Sequence, residues 1–171
     1  MSIKISLNKL PIYVHYLLTQ PLMTKGIETY YQRTPSIQTI NASKNRHNNT
    51  YHRLIRMLVD RSISNNVKLA QSEQEIKVVE LAFITMNFNA LPKNIIYDVQ
   101  NTSIPFGQLL INNHIHISNR HRSYFTVICN SQLRLLMNCH LKSTLYGRKN
   151  TIVNAKNQKW LAHVVEILSE V

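Results

Sequence analysis

In the run Trp160-Leu161-Ala162-His163-Val164-Val165-Glu166-Ile167-Leu168, a single carboxylate stands among apolar side chains. Read as a strand with period 2, Glu166 shares a face with Trp160, Ala162, Val164 and Leu168. Ionising a carboxyl on an apolar face is costly. Such a group either stays protonated or meets a buried cation or ligand. The chain has 8 acidic residues against 20 basic ones, so the placement is informative. The competing reading ends the strand at Glu166 and lets it reach solvent. Arg56 is the matching cation. A strand over residues 51–59 has one face of Tyr51, Arg53, Ile55, Met57 and Val59, and another of His52, Leu54, Arg56 and Leu58. Arg56 thus stands between two leucines, and its planar fork suits a carboxylate. Its alternative is a surface charge on an edge strand.

Other reactive residue types form no pattern of comparable force. Cys129 and Cys139 are ten apart, fit no metal-ligand spacing, and read as two free thiols in a reducing compartment. His114 and His116 would share a strand face, but no Cys, Asp or Glu nearby in sequence completes a metal set, so no metal and no cofactor are expected. The net charge of +12 raises nucleic acid as a partner. The basic residues are scattered, however. The densest spots, Arg120-His121-Arg122 and Arg148-Lys149, lack interleaved aromatics, so nucleic acid is not expected. A small polyanion would also be drawn to such a charge.

With 171 residues, 44% of them hydrophobic and 16% charged, the chain reads as one domain, 1–171, with a proper core. No apolar run reaches the roughly 20 residues of a membrane span. The N-terminal residues lack a continuous apolar stretch, so no cleaved secretory signal is expected.

The elements that must position these residues follow from punctuation and periodicity. Pro11 opens a helix over 11–19 that the Gln20-Pro21 step ends. A second short helix over 23–31 bends at Gly26. Residues 43–50 are polar and read as a loop. After the 51–59 strand, 62–66 turn the chain back through Val67-Lys68-Leu69-Ala70 as a hairpin. The type of 75–88 is open. Helices are expected at 94–101 and from Ile104, with Ser103 as cap and Pro105 in the first turn. A hairpin joins 115–117 to 123–128 over Asn119-Arg120, and another joins 145–148 to the Glu166 strand. Strands on short turns with helices elsewhere predict an α+β fold: a single antiparallel β-sheet with flanking helices.

The order of these features resembles the chorismate pyruvate-lyase family, including its lyase-like relatives encoded in algal plastids. The matching segments are Leu54-Ile55-Arg56-Met57-Leu58, Leu69-Ala70, Pro105-Phe106-Gly107, Tyr146-Gly147-Arg148-Lys149 and Val164-Val165-Glu166-Ile167-Leu168. Upstream, Thr24-Lys25-Gly26-Ile27-Glu28-Thr29 is similar to the family's first turn and helix. The likeness spans roughly residues 15–170 and rests on order and spacing, since no single motif is specific. The chain departs from the family in three places. Ala70-Gln71-Ser72 lacks the arginine that follows the small apolar pair in the lyases. Phe106 replaces a leucine, and the last hairpin is longer.

The resemblance implies a chorismate-lyase-like fold with a ligand enclosed under helix-loop flaps. It also implies cofactor-free elimination of pyruvate from chorismate to leave 4-hydroxybenzoate, in a plastid stroma. On that reading Glu166 and Arg56 are catalytic: Arg56 binds the ring carboxylate and Glu166 is the buried acid or base. Phe106 and Gly107 supply the apolar wall and the close backbone approach, and Glu28 and Arg148 complete the substrate-binding set. Arg148 reads alternatively as a solvated charge or a fold-stabilising ion pair. The same fold also serves as the effector-sensing half of some transcription repressors. A non-catalytic domain binding a small anionic metabolite is therefore the second reading; no DNA-reading domain is expected within these 171 residues, which favours a free-standing sensor over a regulator. A monomer is expected in either case. Both readings require Arg56 and Glu166 to face one cavity.

Overall fold

Alternating apolar side chains build the strands, and prolines set where three of the helices start. The computed structural model describes residues 2–60 and 76–170. In chain order the elements are β1 (Ser2–Ile5), a 3-10 turn (Leu7–Lys9), α1 (Ile12–Thr19), α2 (Met23–Tyr31), β2 (Ser36–Asn45), β3 (Thr50–Asp60), β4 (Ile76–Asn87), α3 (Lys93–Asn101), α4 (Phe106–Asn112), β5 (Ile117–Ile128), α5 (Ser131–Met137), β6 (Thr144–Asn154) and β7 (Trp160–Leu168). Pro11, Pro92 and Pro105 directly precede α1, α3 and α4 with φ between −56° and −59°. The ring fixes that angle, and the missing N–H would have had no partner inside the helix.

The strands form one seven-stranded sheet in the order β1-β5-β6-β7-β4-β3-β2, and every pairing is antiparallel. This is the α+β architecture expected from the sequence. Helices α1 to α4 cover one face, burying Leu17, Leu18, Ile27, Ile95, Leu109 and Leu110 against Ile55, Met57, Ala82, Met86, Ile152 and Val164. A smaller cluster on the other face gathers Leu81, Phe125, Leu145 and Ile167 with Met137 at the end of α5.

Three sequence expectations are corrected here, and one open stretch is assigned. Residues 43–45 belong to β2 rather than to a loop. Nearly all of β2 is exposed, as befits an edge strand, so no apolar alternation marks it. The hairpin over Asn119-Arg120 is absent: β5 runs through as one strand, with a register break between Arg120 and Ser123 and His121 at φ 54°. An extra residue has been absorbed as a bulge, because β6 offers a partner on both sides of it. The stretch of open type is β4, a central strand buried on both faces and hence apolar without period. Cys129 and Cys139 are not free thiols. They are joined in a disulfide, their Cα atoms 6.3 Å apart, because α5 folds the chain back between them. The expected partner strand 67–70 and the departure at 70–72 lie outside the described residues. On the described side, β3 pairs with β2 and β4. Among the described residues no helix is long and apolar enough to cross a membrane.

Candidate functional site

Register places the charged groups of the helix-covered face. Arg148 on β6 lies directly opposite Glu166 on β7, and Glu166 in turn lies opposite Ala82 on β4. Side chains directly across neighbouring strands share a face. Ala82, Val164 and Leu168 lie in the cluster under the helices, and Glu166 lies among them, 8% exposed. Trp160 leaves the face expected for it and stacks on His163, with centroids 4.5 Å apart. A register break between Ile152 and Val153, opposite the start of β7, accounts for the change.

Glu166 meets a buried cation, though not the one expected. Arg148, 1% exposed, donates from Nε to Glu166 Oε2. Its Nη1 donates to the carbonyls of Leu18, at 3.0 Å, and Gln20. Arg122 binds the neighbouring carbonyls, Nη1 to Thr19 at 2.9 Å and Nη2 to Gln20 at 3.1 Å. Two guanidiniums therefore cap the C-terminus of α1, where the helix dipole and unpaired carbonyls favour cations. Burial opposes the charge on Arg148, yet Glu166's charge and hydrogen bond, with help from Glu80, raise its pKa above the usual arginine value. Burial, and then repulsion from Arg148, lower Arg122.

Beside this pair lies Glu80 on β4, a residue the sequence reading passed over. It is 1% exposed, its side chain hydrogen-bonds Glu166, and its Oε2 has no partner among the described residues. Burial, and then the neighbouring Glu166, push its pKa well above the usual carboxylate range, against the pull of Arg148. Two adjacent buried carboxyls cannot both carry charge cheaply, which favours the protonated form of Glu80. The signal for it was present. Glu80 sits in Val78-Val79-Glu80-Leu81-Ala82, a lone acid in an apolar run like Glu166.

Glu80, Glu166, Thr24, Phe106 and Gly107 line one small cavity of about 30 Å³ between the sheet and the N-terminal ends of α2 and α4. The glycine makes the lid tight, since a methyl group at position 107 would lie 2.9 Å from Thr24 Oγ1. Phe106, Gly107 and Glu166 are thus brought together as expected, with Arg148 behind Glu166. Glu28 and Arg56 are not. Glu28 is on the outside of α2, paired with Lys25 at 2.7 Å. Arg56 pairs in register with Leu81, which belongs to the cluster on the opposite face of the sheet. There it donates from Nε to Gln38 Oε1 at 2.5 Å and from Nη1 toward the Leu136 carbonyl at 3.4 Å. The expectation that Arg56 faces Glu166 across a cavity is therefore corrected: period 2 fixes which residues share a face, but not which side of the sheet that face is.

No family model matches the chain, and no curated protein matches it in sequence. Solved structures do. PhnF from Mycobacterium smegmatis superposes with a TM-score of 0.62 at 6% identity, covering 89% of this chain and 65% of PhnF, so the chain spans less than two thirds of that protein. The effector domain of the same PhnF gives 0.58 at 7% identity, over 88% of this chain and 91% of the domain. The ligand-binding domain of a GntR-family regulator from Bordetella bronchiseptica gives 0.50 at 6% identity, over 80% and 85%. The fold of this chain is the chorismate-lyase-like fold that those effector domains share.

Proposed function

We propose that this chain is a small-molecule-binding domain of the effector type, with the cavity beneath α2 and α4 as its ligand site. The carrying observation is Glu80, a fully buried carboxyl with an oxygen left without a partner, at a cavity it shares with Glu166 and Thr24. A buried polar atom without a partner costs about 1–3 kcal/mol, which a ligand's hydrogen-bond donor would recover. A cavity of about 30 Å³ has room for roughly one or two waters. A metabolite enters only if the helical lid moves, and a ligand that binds one lid position better than the other shifts the equilibrium between them. That is what a sensor requires. The structural likeness to regulator effector domains supports the same reading.

The lyase reading has one observation in its favour: burial and the neighbouring Glu166 raise the pKa of Glu80, as suits a general acid. Chorismate, however, carries two carboxylates, and among the described residues no lysine or arginine lines this cavity. Arg148, the guanidinium behind Glu166, is already engaged by Glu166 and by α1. We therefore favour binding without turnover, of a ligand that presents hydroxyl or amine donors to the two carboxyls.

The test is incubation of purified protein with chorismate, following pyruvate and 4-hydroxybenzoate, beside calorimetric titration with polyols and amines. The expected result is saturable binding of a donor-rich ligand that weakens at least tenfold in Glu80→Ala, with no pyruvate released. Pyruvate release that Glu80→Gln and Glu166→Gln both abolish would replace this reading with the lyase.

A further inference from the structure

On the face of the sheet away from that cavity, Arg56 of β3 and Arg134 of α5 line a single open depression of about 630 Å³ with Ser131, Leu135, Asn138 and Leu141. Neither guanidinium has an ion-pair partner among the described residues. Arg56 is half-buried and positioned by Gln38 and by the Leu136 carbonyl, contacts to uncharged groups that leave its positive charge unneutralised. Beside the two cations, Leu135 is 82% exposed and Leu141 50% exposed. Exposed leucines next to unneutralised guanidiniums make an amphipathic hollow of the size that holds small molecules.

The wall carrying Arg134 is fixed in place. Asn130 caps α5 by accepting from the Leu133 N–H at 2.9 Å, and Asn138 ends the helix in the left-handed region. The Cys129–Cys139 disulfide closes the loop, and Met137 packs into the cluster on this face. The other wall is the strand that carries Arg56. The Arg56 guanidinium is positioned and Arg134 projects from a helix anchored at both ends, so the two can converge on a carboxylate, which accepts parallel N–H bonds from such forks.

We infer that this hollow is a second ligand site, distinct from the Glu80–Glu166 cavity, for a small organic anion: a carboxylate held by Arg56 and Arg134, with an apolar body lying on Leu135 and Leu141. Ser131 and Asn138 offer neutral hydrogen-bonding groups at the rim. The ligand is a small molecule rather than a nucleic acid strand, because the cations form a pair in a hollow and not a stripe along a surface.

The probe is benzoate, titrated into isotope-labelled full chain and followed by backbone amide shifts, with benzamide and inorganic phosphate as comparators. Saturable shifts are expected at Arg56, Arg134, Leu135 and Leu141, with benzamide at least tenfold weaker for want of charge and phosphate weaker for want of an apolar body. Arg56→Gln and Arg134→Gln are each expected to weaken benzoate about tenfold while leaving the melting temperature in place. Shifts confined to Phe106, Gly107 and Glu166 would overturn the inference, as would equal binding of benzamide, equal binding of phosphate, or affinity unmoved by both substitutions. Because the two sites lie on opposite faces, failure here leaves the cavity reading standing, and the converse also holds.

Discussion

The two faces of the sheet treat charge in opposite ways. Under the helices, Arg148 and Glu166 are buried against each other, and what remains of the guanidinium is spent on carbonyls at the end of α1. On the other face, Arg56 and Arg134 sit at the edge of solvent with no carboxylate paired to them among the described residues. The buried cation maintains the fold and the open ones are available to a partner. The two residues Arg56 and Arg148 are of the same type and both stand on sheet strands, so the difference comes from which layer covers the strand. A cation enclosed by its own chain has to be neutralised there, whereas one near water can wait for a ligand.

The comparison is broken most severely at the ion pair. Arg148→Met leaves Glu166 buried without its cation and strips hydrogen bonds from the Leu18 and Gln20 carbonyls. The expected loss is about 3–5 kcal/mol, read from the urea midpoint. Combining it with Glu166→Met should restore much of that loss, because no uncompensated charge remains. Simple addition of the two single effects would show that the groups do not act as a pair. The open face is weakened less by Cys129→Ser. Losing the cross-link of a ten-residue separation is expected to cost about 2–3 kcal/mol and to release α5, seen as faster amide exchange over residues 131–137.

The smallest effect sharpens the comparison through pH. Glu80 has a raised folded-state pKa, so between its unfolded value and that raised value the native state binds the extra proton. Its contribution is complete below the ordinary glutamate range and is lost as pH rises through the folded value. Glu80→Gln keeps a neutral hydrogen-bonding group, and the decline in stability with rising pH should flatten. An unchanged pH profile would show that Glu80 is not the group taking up that proton.

How far the sequence was legible follows from what each signal measures. Glu166 could be read because it is the one acid in the apolar run of β7. Glu80 carried the same signal but sat in a strand buried on both sides, where period 2 fades, and so it was missed. Arg56 illustrates the opposite limit. Its two leucine neighbours placed it on an apolar face correctly, yet alternation is blind to which layer covers that face. The pairing register of β3 with β4 decided the matter. Helix α5 has seven residues and no apolar stripe long enough to announce it, and without α5 nothing brings Cys129 to Cys139. The prolines, by contrast, act locally and marked the starts of α1, α3 and α4 well.

At Gly147 the two faces are separated by very little. A side-chain carbon there would lie 2.4 Å from Phe125 Cζ and 2.5 Å from the Glu166 carbonyl oxygen. Phe125 belongs to the outer cluster, while the next residue along the strand is Arg148 of the inner pair. One peptide plane is the whole partition between an oily layer and a charged one. A single added methyl at that point would be felt on both sides at once, as pressure on the ring outside and displacement of the β7 backbone that holds the acid inside.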